Sequence, residues 1–326
     1  MQHVRLGESG IEVSRIALGT WAMGDGAYWG PQDDRDSIRT IHAALERGVT
    51  HIDTAEGYGD GRSEAIVGRG IRDRRAAAVV ATKAFGRSLV PANLPLALEA
   101  SLRGLGTDHV DLYHIHWPNP EVPLAETMGA LERLVEAGKV RGVGICNFGP
   151  RNLRALAEVP TASARPLVHQ LPYNLLWRAI EGPIVDASDA ARMPIVAYSA
   201  LAQGLLTGGY RSIGAVPDHM KVTRFYSGDN GIAKHGEAGA EAEAFAAIAA
   251  LDALCGEAGL SMPQLALAWL LQKSNVASVL VGARTPEELE ESVAAADLAV
   301  PADLLERATA ATKAVRERLG DNRTLG

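Results

Sequence analysis

The sequence predicts an α/β protein, a (β/α)8 TIM barrel with an N-terminal hairpin and extra helices. Its 326 residues suit one large barrel domain. Short apolar runs rich in β-branched residues alternate with longer amphipathic segments along the chain. Such runs are typical of strands buried on both faces of a parallel sheet, and eight strand–helix units close a barrel.

The predicted strands are eight apolar runs bounded by polar, glycine or proline residues. They cover residues 15–21, 49–55, 77–84, 110–117, 139–147, 165–171, 193–200 and 275–282. Apolar residues at helical spacing predict helices in the segments between them. Examples cover residues 36–47, 92–105, 124–137, 150–157 and 262–272.

The remaining length predicts additions to the barrel. Residues 1–14 are expected to form a hairpin under the barrel floor, and 241–258 and 302–319 to form extra helices. The glycine-rich segment 208–240 is expected to lie over the cofactor and substrate site, since loops of that length are usually lids or disordered. No linker interrupts the chain, so residues 1–326 are expected to form a single domain.

An open doubly wound sheet is the alternative fold. It would bind a dinucleotide through G-x-G-x-x-G after its first strand. Here that strand is followed by GTWAMGDGAYWG, which does not fit the pattern.

Composition and charge exclude several classes of protein. With 47% apolar residues the chain is not a disordered protein, and its net charge of −7 disfavours a nucleic acid partner. No apolar run approaches the ~20 residues of a membrane helix, and no signal peptide is visible. Only Cys146 and Cys255 occur, widely separated. We therefore expect a cytoplasmic protein without a membrane partner, in an oligomeric state that the sequence leaves open.

Polar residues stand at the ends of consecutive predicted strands, where barrel enzymes place their chemistry. The second strand ends in Asp53, with Tyr58 in the following loop, and the third and fourth end in Lys83 and His116. A lysine cation lowers the pKa of a nearby tyrosine, and a carboxylate keeps that lysine charged. These four groups predict a general acid acting on a substrate oxygen.

Seven segments, in order, resemble the aldo-keto reductases, in particular bacterial and plant-type members with a short C-terminus. They are HIDTAEGYGDGRSE (51–64), ATKAF (81–85), DLYHIHWP (111–118), GVGICNFG (142–149), VHQLPYN (168–174), AYSALAQGLLTG (197–208) and VGARTPEELEES (281–292). The resemblance runs from near residue 5 to near residue 300.

The resemblance implies hydride transfer between a nicotinamide and the carbonyl or alcohol group of a small molecule such as an aldehyde, ketone or sugar. Tyr58 is then the proton donor, Lys83 and Asp53 tune it, and His116 orients the carbonyl. Trp21 walls the substrate pocket beside Tyr58 and His116.

The same resemblance implies a set of cofactor contacts. Asn147 and Gln170 hold the carboxamide, and Tyr198 stacks on the nicotinamide ring. The other implied contacts, running from the nicotinamide to the adenosine, are Gly19, Thr20, Trp21, Asp53, Ser199, Leu201, Gly204, Leu205, Gly282, Arg284, Glu288 and Glu291.

Two of these positions bear on cofactor choice. Glu288 stands where many family members have Gln or Arg, and a carboxylate repels a 2′-phosphate. Arg284 has the opposite effect, because a guanidinium suits phosphate. The sequence favours NADP(H) and leaves NAD(H) as the alternative. Cys146 also replaces a usual Ser.

Two other functions remain open from the residues. His114 and His116, with His51 and Asp53, could be ligands of a metal-dependent hydrolase, although Gln170 and Ser199 on later strands are poor ligands. A cofactor-binding regulatory barrel without catalysis is the second, as in potassium-channel subunits. Tyr28 and Trp29 predict an aromatic mouth that suits sugars, steroids and aryl aldehydes equally.

Overall fold

The computed structural model describes residues 1–24, 26–161, 163–233 and 235–321, which form ten strands. The first two, β1 (His3–Arg5) and β2 (Glu12–Ser14), pair antiparallel as a hairpin. The other eight close into a parallel barrel in which the last strand pairs with the first. They are β3 (Ile16–Gly19), β4 (His51–Asp53), β5 (Val79–Ala84), β6 (Val110–Ile115), β7 (Val140–Cys146), β8 (Val168–Pro172), β9 (Ile195–Tyr198) and β10 (Val276–Gly282).

One helix follows each barrel strand on the outside, and shorter or additional helices lie at the ends. In chain order they are α1 (Trp21–Gly24), α2 (Gly26–Trp29), α3 (Asp34–Glu46), α4 (Arg62–Ile71), α5 (Leu94–Leu105), α6 (Leu124–Glu136), α7 (Pro150–Ala157), α8 (Pro183–Ala190), α9 (Glu241–Ala258), α10 (Met262–Leu271), α11 (Pro286–Ala295), α12 (Ala302–Ala311) and α13 (Lys313–Leu319). The predicted (β/α)8 barrel with an N-terminal hairpin and extra helices is confirmed.

The hairpin packs into the N-terminal end of the barrel. Leu6, Ile11 and Val13 are buried in one cluster with inward-facing strand residues such as Leu112 and Val168. A Cβ on Gly142 of β7 would lie 2.5 Å from Leu167 Cδ1 and 3.1 Å from Ile11 Cδ1, so glycine leaves room for both side chains. Apolar side chains thus fill the floor of the barrel and leave the C-terminal strand ends for polar groups.

The predicted helix over 302–319 is interrupted at Thr312. Arg178 Nη1 donates to the carbonyl of Thr309 at 2.9 Å and to Thr312 Oγ1 at 3.2 Å. In a continuous helix that carbonyl would accept from the amide of Lys313. A side chain that lies 131 residues before Thr309 in the chain therefore separates α12 from α13.

The segment 208–240 contains three single-turn 3₁₀ helices, Ile213–Ala215, Asp218–Met220 and Gly228–Asn230. Buried Arg224 binds Glu237 at 2.7 Å and the carbonyl of Leu319. The segment thus packs partly against the C-terminal helix.

No single described helix is long and apolar enough to cross a membrane; α9 and α10 meet that test only as a pair bent by 94°.

Candidate active site

Asp53, Lys83 and Tyr58 form a hydrogen-bonded group at the C-terminal ends of β4 and β5. Lys83 Nζ lies 2.5 Å from Asp53 Oδ1, and donates to the carbonyl of Thr54 at 2.7 Å and to the Tyr58 hydroxyl at 3.3 Å. Lys83 is fully buried, and its Nζ also lies 4.8 Å from the Tyr58 ring centroid. The structure therefore brings three of the four predicted catalytic side chains into direct contact.

The loop that carries Tyr58 is fixed against α1 by two glycines. A Cβ on Gly59, whose φ is +62°, would lie 2.3 Å from the carbonyl oxygen of Gly24. A Cβ on Gly24 would in turn lie 2.6 Å from the carbonyl oxygen of Tyr58. Only glycines permit this contact, which holds the backbone of Tyr58 against α1.

His116 directly follows β6 and faces Tyr58 edge to face, with ring centroids 5.9 Å apart. Its carbonyl accepts from Asn147 Nδ2 at 3.0 Å. Burial, helped by the Lys83 charge, lowers the pKa of His116 to about 3. The imidazole is therefore neutral at pH 7, and can donate one hydrogen bond to an oxygen beside Tyr58.

The pKa of Tyr58 differs in direction from the sequence expectation. Burial raises it above its ordinary value, and outweighs the lowering effect of the Lys83 charge. Burial also lowers the pKa of Lys83, but the charges of Asp53 and Tyr58 outweigh it, so the net shift is upward. Tyr58 is thus a protonated phenol beside a permanently charged lysine.

Gln170 supplies the hydrogen bond to the second carboxylate oxygen of Asp53. Its Nε2 donates to Asp53 Oδ2 at 2.8 Å, opposite the lysine. The Cys146 thiol, 3.5 Å from both Gln170 Oε1 and His114 Nδ1, can donate to the amide oxygen. Burial raises the pKa of Cys146, so the thiol stays protonated. Gln170, predicted as a carboxamide ligand, therefore also belongs to the group around the proton donor.

Asn147 and Tyr198 form the opposite wall. The Tyr198 hydroxyl donates to Asn147 Oδ1 at 2.9 Å. Asn147 has a φ of 61°, and Ser199 and Gln203 have a φ of 53°. Left-handed conformations of residues other than glycine cost about 1–3 kcal/mol each and cluster at functional sites.

A cavity of about 690 Å³ lies above these groups. Most of the predicted site residues line it: Gly19, Thr20, Trp21, Asp53, Tyr58, His116, Asn147, Gln170, Tyr198, Ser199, Leu201, Gly204, Gly282, Arg284 and Glu288. Lys83 lies beneath the cavity, whereas Leu205 is buried in the core and Glu291 is exposed outside the cavity. No described residue of the segment 208–240 lines it.

An aromatic cluster forms the mouth. Trp21 stacks on Tyr28 at 5.0 Å and meets Trp29 edge to face at 5.3 Å. Phe85 and Trp117 also line the cavity and are 47% and 43% exposed. Sequence reasoning missed these two as site residues. They follow the strands that carry Lys83 and the histidines, and this position at the C-terminal strand ends could have identified them as site residues.

The predicted metal ligands do not converge. Among the described residues no group of three His, Cys, Asp or Glu side chains could hold a metal ion. His51 Nδ1 lies 3.3 Å from Ser278 Oγ, and His114 lies beside Cys146.

Comparison with known proteins agrees with this geometry. The chain is 35% identical to the aldo-keto reductase YhdN of Bacillus subtilis over 89% of its own length and 87% of that protein. It is 32% identical to the NADH-specific methylglyoxal reductase of Escherichia coli over 91% of its own length and 94% of that enzyme.

Solved structures are also similar. The glycerol dehydrogenase AKR11B4 from Gluconobacter oxydans superposes with a TM-score of 0.80 at 31% identity, covering 98% of this chain and 97% of that one. An aldo/keto reductase from Klebsiella pneumoniae, solved with NADP and acetate, gives a TM-score of 0.73 at 28% identity, with 98% and 96% coverage. Relatives thus include both NADP-binding and NADH-specific proteins.

The sequence model of the aldo/keto reductase family matches residues 15–313. The chain belongs to this family and is an NAD(P)H-dependent oxidoreductase that interconverts carbonyl and alcohol groups.

Proposed function

We propose that this chain reduces small aldehydes or ketones, with Tyr58 giving the proton to the carbonyl oxygen. The observation that carries the proposal is the position of Lys83 Nζ, 3.3 Å from the Tyr58 hydroxyl and 2.5 Å from Asp53 Oδ1. A phenol held beside a buried ammonium can lose its proton, because the ammonium stabilises the phenolate that remains.

The residues around the cavity fit a nicotinamide dinucleotide. A volume of about 690 Å³ lies inside the usual range for cofactor sites, about 300–1,000 Å³. Asn147 and Gln170 each keep one N–H and one lone pair beyond the bonds described above, enough to hold a carboxamide. The ring of Tyr198 offers a flat wall beside them. When bound, the reduced nicotinamide supplies a hydride to the carbonyl carbon.

The protein's own part is to hold the carbonyl and to move one proton. The rings of His116 and Tyr58 both line the cavity with their centroids 5.9 Å apart, so both side chains can donate to one carbonyl oxygen. As the carbon gains a hydride, the oxygen takes the Tyr58 proton and the product is an alcohol. Lys83 stabilises the resulting phenolate, and Asp53 keeps Lys83 charged.

The substrate class follows from the relatives and the mouth of the cavity. Relatives are named for methylglyoxal and glycerol, which are small molecules with adjacent oxygen groups. Trp21, Phe85 and Trp117 form an apolar rim around His116 and Tyr58. We expect small α-oxygenated or aromatic aldehydes to be better substrates than sugars in their ring form, which present no free carbonyl.

A cytoplasmic location and a single-domain chain are part of the same proposal. Cys146 and Cys255 are both free and buried, which is typical of proteins in a reducing compartment.

The decisive variant is Tyr58→Phe, which removes only the hydroxyl. We expect its turnover of methylglyoxal to fall at least ~10²-fold, while the cofactor Kd, measured by fluorescence quenching, stays within about twofold. Tyr210→Phe is the matched control, because the Tyr210 hydroxyl contacts Met220 and none of the predicted catalytic residues.

Equal turnover of Tyr58→Phe and the parent protein would overturn the role of Tyr58 as proton donor. Tight cofactor binding by the parent without turnover of any aldehyde or alcohol would instead indicate a regulatory barrel.

A further inference from the structure

The two ends of the cavity lie on opposite sides of the barrel. His116 follows β6, whereas Arg284 and Glu288 follow β10, four strands away in the ring of eight. On the proposed function, which this inference presupposes, the nicotinamide must meet Tyr58 and His116. The adenosine of the same cofactor therefore lies at the other end, between Gly282 and the start of α11.

Arg284 is the one residue with a fixed positive charge among the described residues that line the cavity, and each of its three guanidinium nitrogens already donates one hydrogen bond. Nε donates to Gln32 Oε1 at 2.9 Å, Nη1 to the carbonyl of Trp29 at 3.2 Å, and Nη2 to that of Pro31 at 2.5 Å. Gln32 Nε2 donates back to the Arg284 carbonyl at 2.9 Å. The side chain thus clamps the segment 29–32 to the rim of β10.

Glu288 puts a negative charge at the same place. Its Oε2 accepts from the Arg284 amide at 2.8 Å, which holds the carboxylate at the cavity wall. Glu287, Glu290 and Glu291 lie on the same helix. Arg47, a cation on the adjacent α3–β4 turn, is paired with Glu290.

The balance of charge decides between the two nicotinamide dinucleotides. A 2′-phosphate would meet the Glu288 carboxylate and a guanidinium with three donor groups in use, whereas a free 2′-hydroxyl can donate to that carboxylate. We propose that Glu288 selects a free ribose 2′-hydroxyl, that Arg284 clamps the segment 29–32 instead of binding phosphate, and that this chain therefore prefers NAD(H) to NADP(H).

Binding without turnover tests the proposal. Isothermal titration with NADH and NADPH, and with ADP-ribose and its 2′-phosphorylated form, should give Kd values at least about tenfold lower for the unphosphorylated ligands. Glu288→Gln removes the carboxylate with little change in shape, and should reduce that ratio to about threefold or less. Glu287→Gln, on the same helix but outside the cavity, is the matched control and should leave the ratio unchanged.

The variant Arg284→Met distinguishes a clamping role of Arg284 from a phosphate-binding role, because methionine has a long side chain without hydrogen-bond donors. A clamp predicts that both dinucleotides lose affinity by the same factor. Selective loss of NADPH would overturn the proposal, as would equal or tighter binding of NADPH by the parent protein. Failure of both dinucleotides to bind the folded parent would instead contradict the proposed function, so the two failures are distinguishable.

Discussion

Gln170 shows how one side chain can serve both the cofactor and the proton donor. With Lys83 on Oδ1 and Gln170 on Oδ2, both oxygens of buried Asp53 accept a hydrogen bond. A buried acceptor that loses its partner costs about 1–3 kcal/mol. We expect Gln170→Met to lower kcat about tenfold or more in single-turnover reactions at saturating cofactor.

Gln203→Met is the control for this prediction. Gln203 lines the same cavity, but its amide oxygen accepts from Tyr28 and it has no contact with Asp53. If both variants lose kcat equally, the Gln170–Asp53 bond has no special role. If Gln170→Met changes only the cofactor Kd, Gln170 acts on the cofactor alone.

At the scale of the element, Ser63 in the first turn of α4 ties the ends of two strands together. Its hydroxyl donates to the carbonyl of Thr20 at 3.0 Å, accepts from Thr54 Oγ1 at 2.9 Å, and lies 2.7 Å from Thr20 Oγ1. Ser63→Ala should lower the free energy of unfolding by about 1–3 kcal/mol, measured by urea denaturation, because buried hydroxyls lose their partner.

Ser292→Ala is the comparison for Ser63→Ala. Ser292 is also buried on a helix, but its hydroxyl bonds only the carbonyl of Glu288 one turn earlier. Its loss should cost less than about 0.5 kcal/mol, because such a bond within a helix adds little to the helix's own hydrogen bonds. Equal losses in the two variants would contradict the linking role of Ser63.

Local sequence patterns predict the strands and some helix bounds, but not the contacts between distant parts of the chain. The eight strands were predictable because each lies in a short, mostly apolar run bounded by polar, glycine or proline residues. Helices α7 and α9 have the predicted bounds because glycine or a change of composition marks their ends. The interruption at Thr312 and the Gln170–Asp53 bond depend on partners 134 and 117 residues away. No local pattern encodes such contacts. The state of Tyr58 depends on burial, which spacing alone does not give.

Closure of the barrel determines where the proton-donor site and the adenosine end of the cavity lie. The hairpin and apolar side chains fill the floor, and the polar side chains that line the cavity lie at the opposite rim. His116, which follows β6, and the adenosine end, which follows β10, are then four strands apart in the ring of eight.

The stability of the whole molecule should depend on pH through its buried histidines. Burial lowers the pKa of His51 to about 4 and that of His169 to about 3, against an ordinary value of about 6.5 in the unfolded chain. Below pH 6.5 these two histidines are therefore protonated in the unfolded chain but stay neutral in the folded chain. The stability that the two neutral histidines contribute is complete above pH 6.5 and is lost as the pH falls toward their lowered pKa values.

We expect urea midpoints to be level from pH 8 to 7 and to fall steadily from pH 6.5 to 4.5. The slope should decrease by about one proton in His169→Asn, because that ring no longer titrates in the unfolded chain. A single transition at each pH is expected if residues 1–326 unfold as one domain. A flat profile would mean that these histidines are protonated in the folded protein, and two separate transitions would mean that part of the barrel unfolds independently.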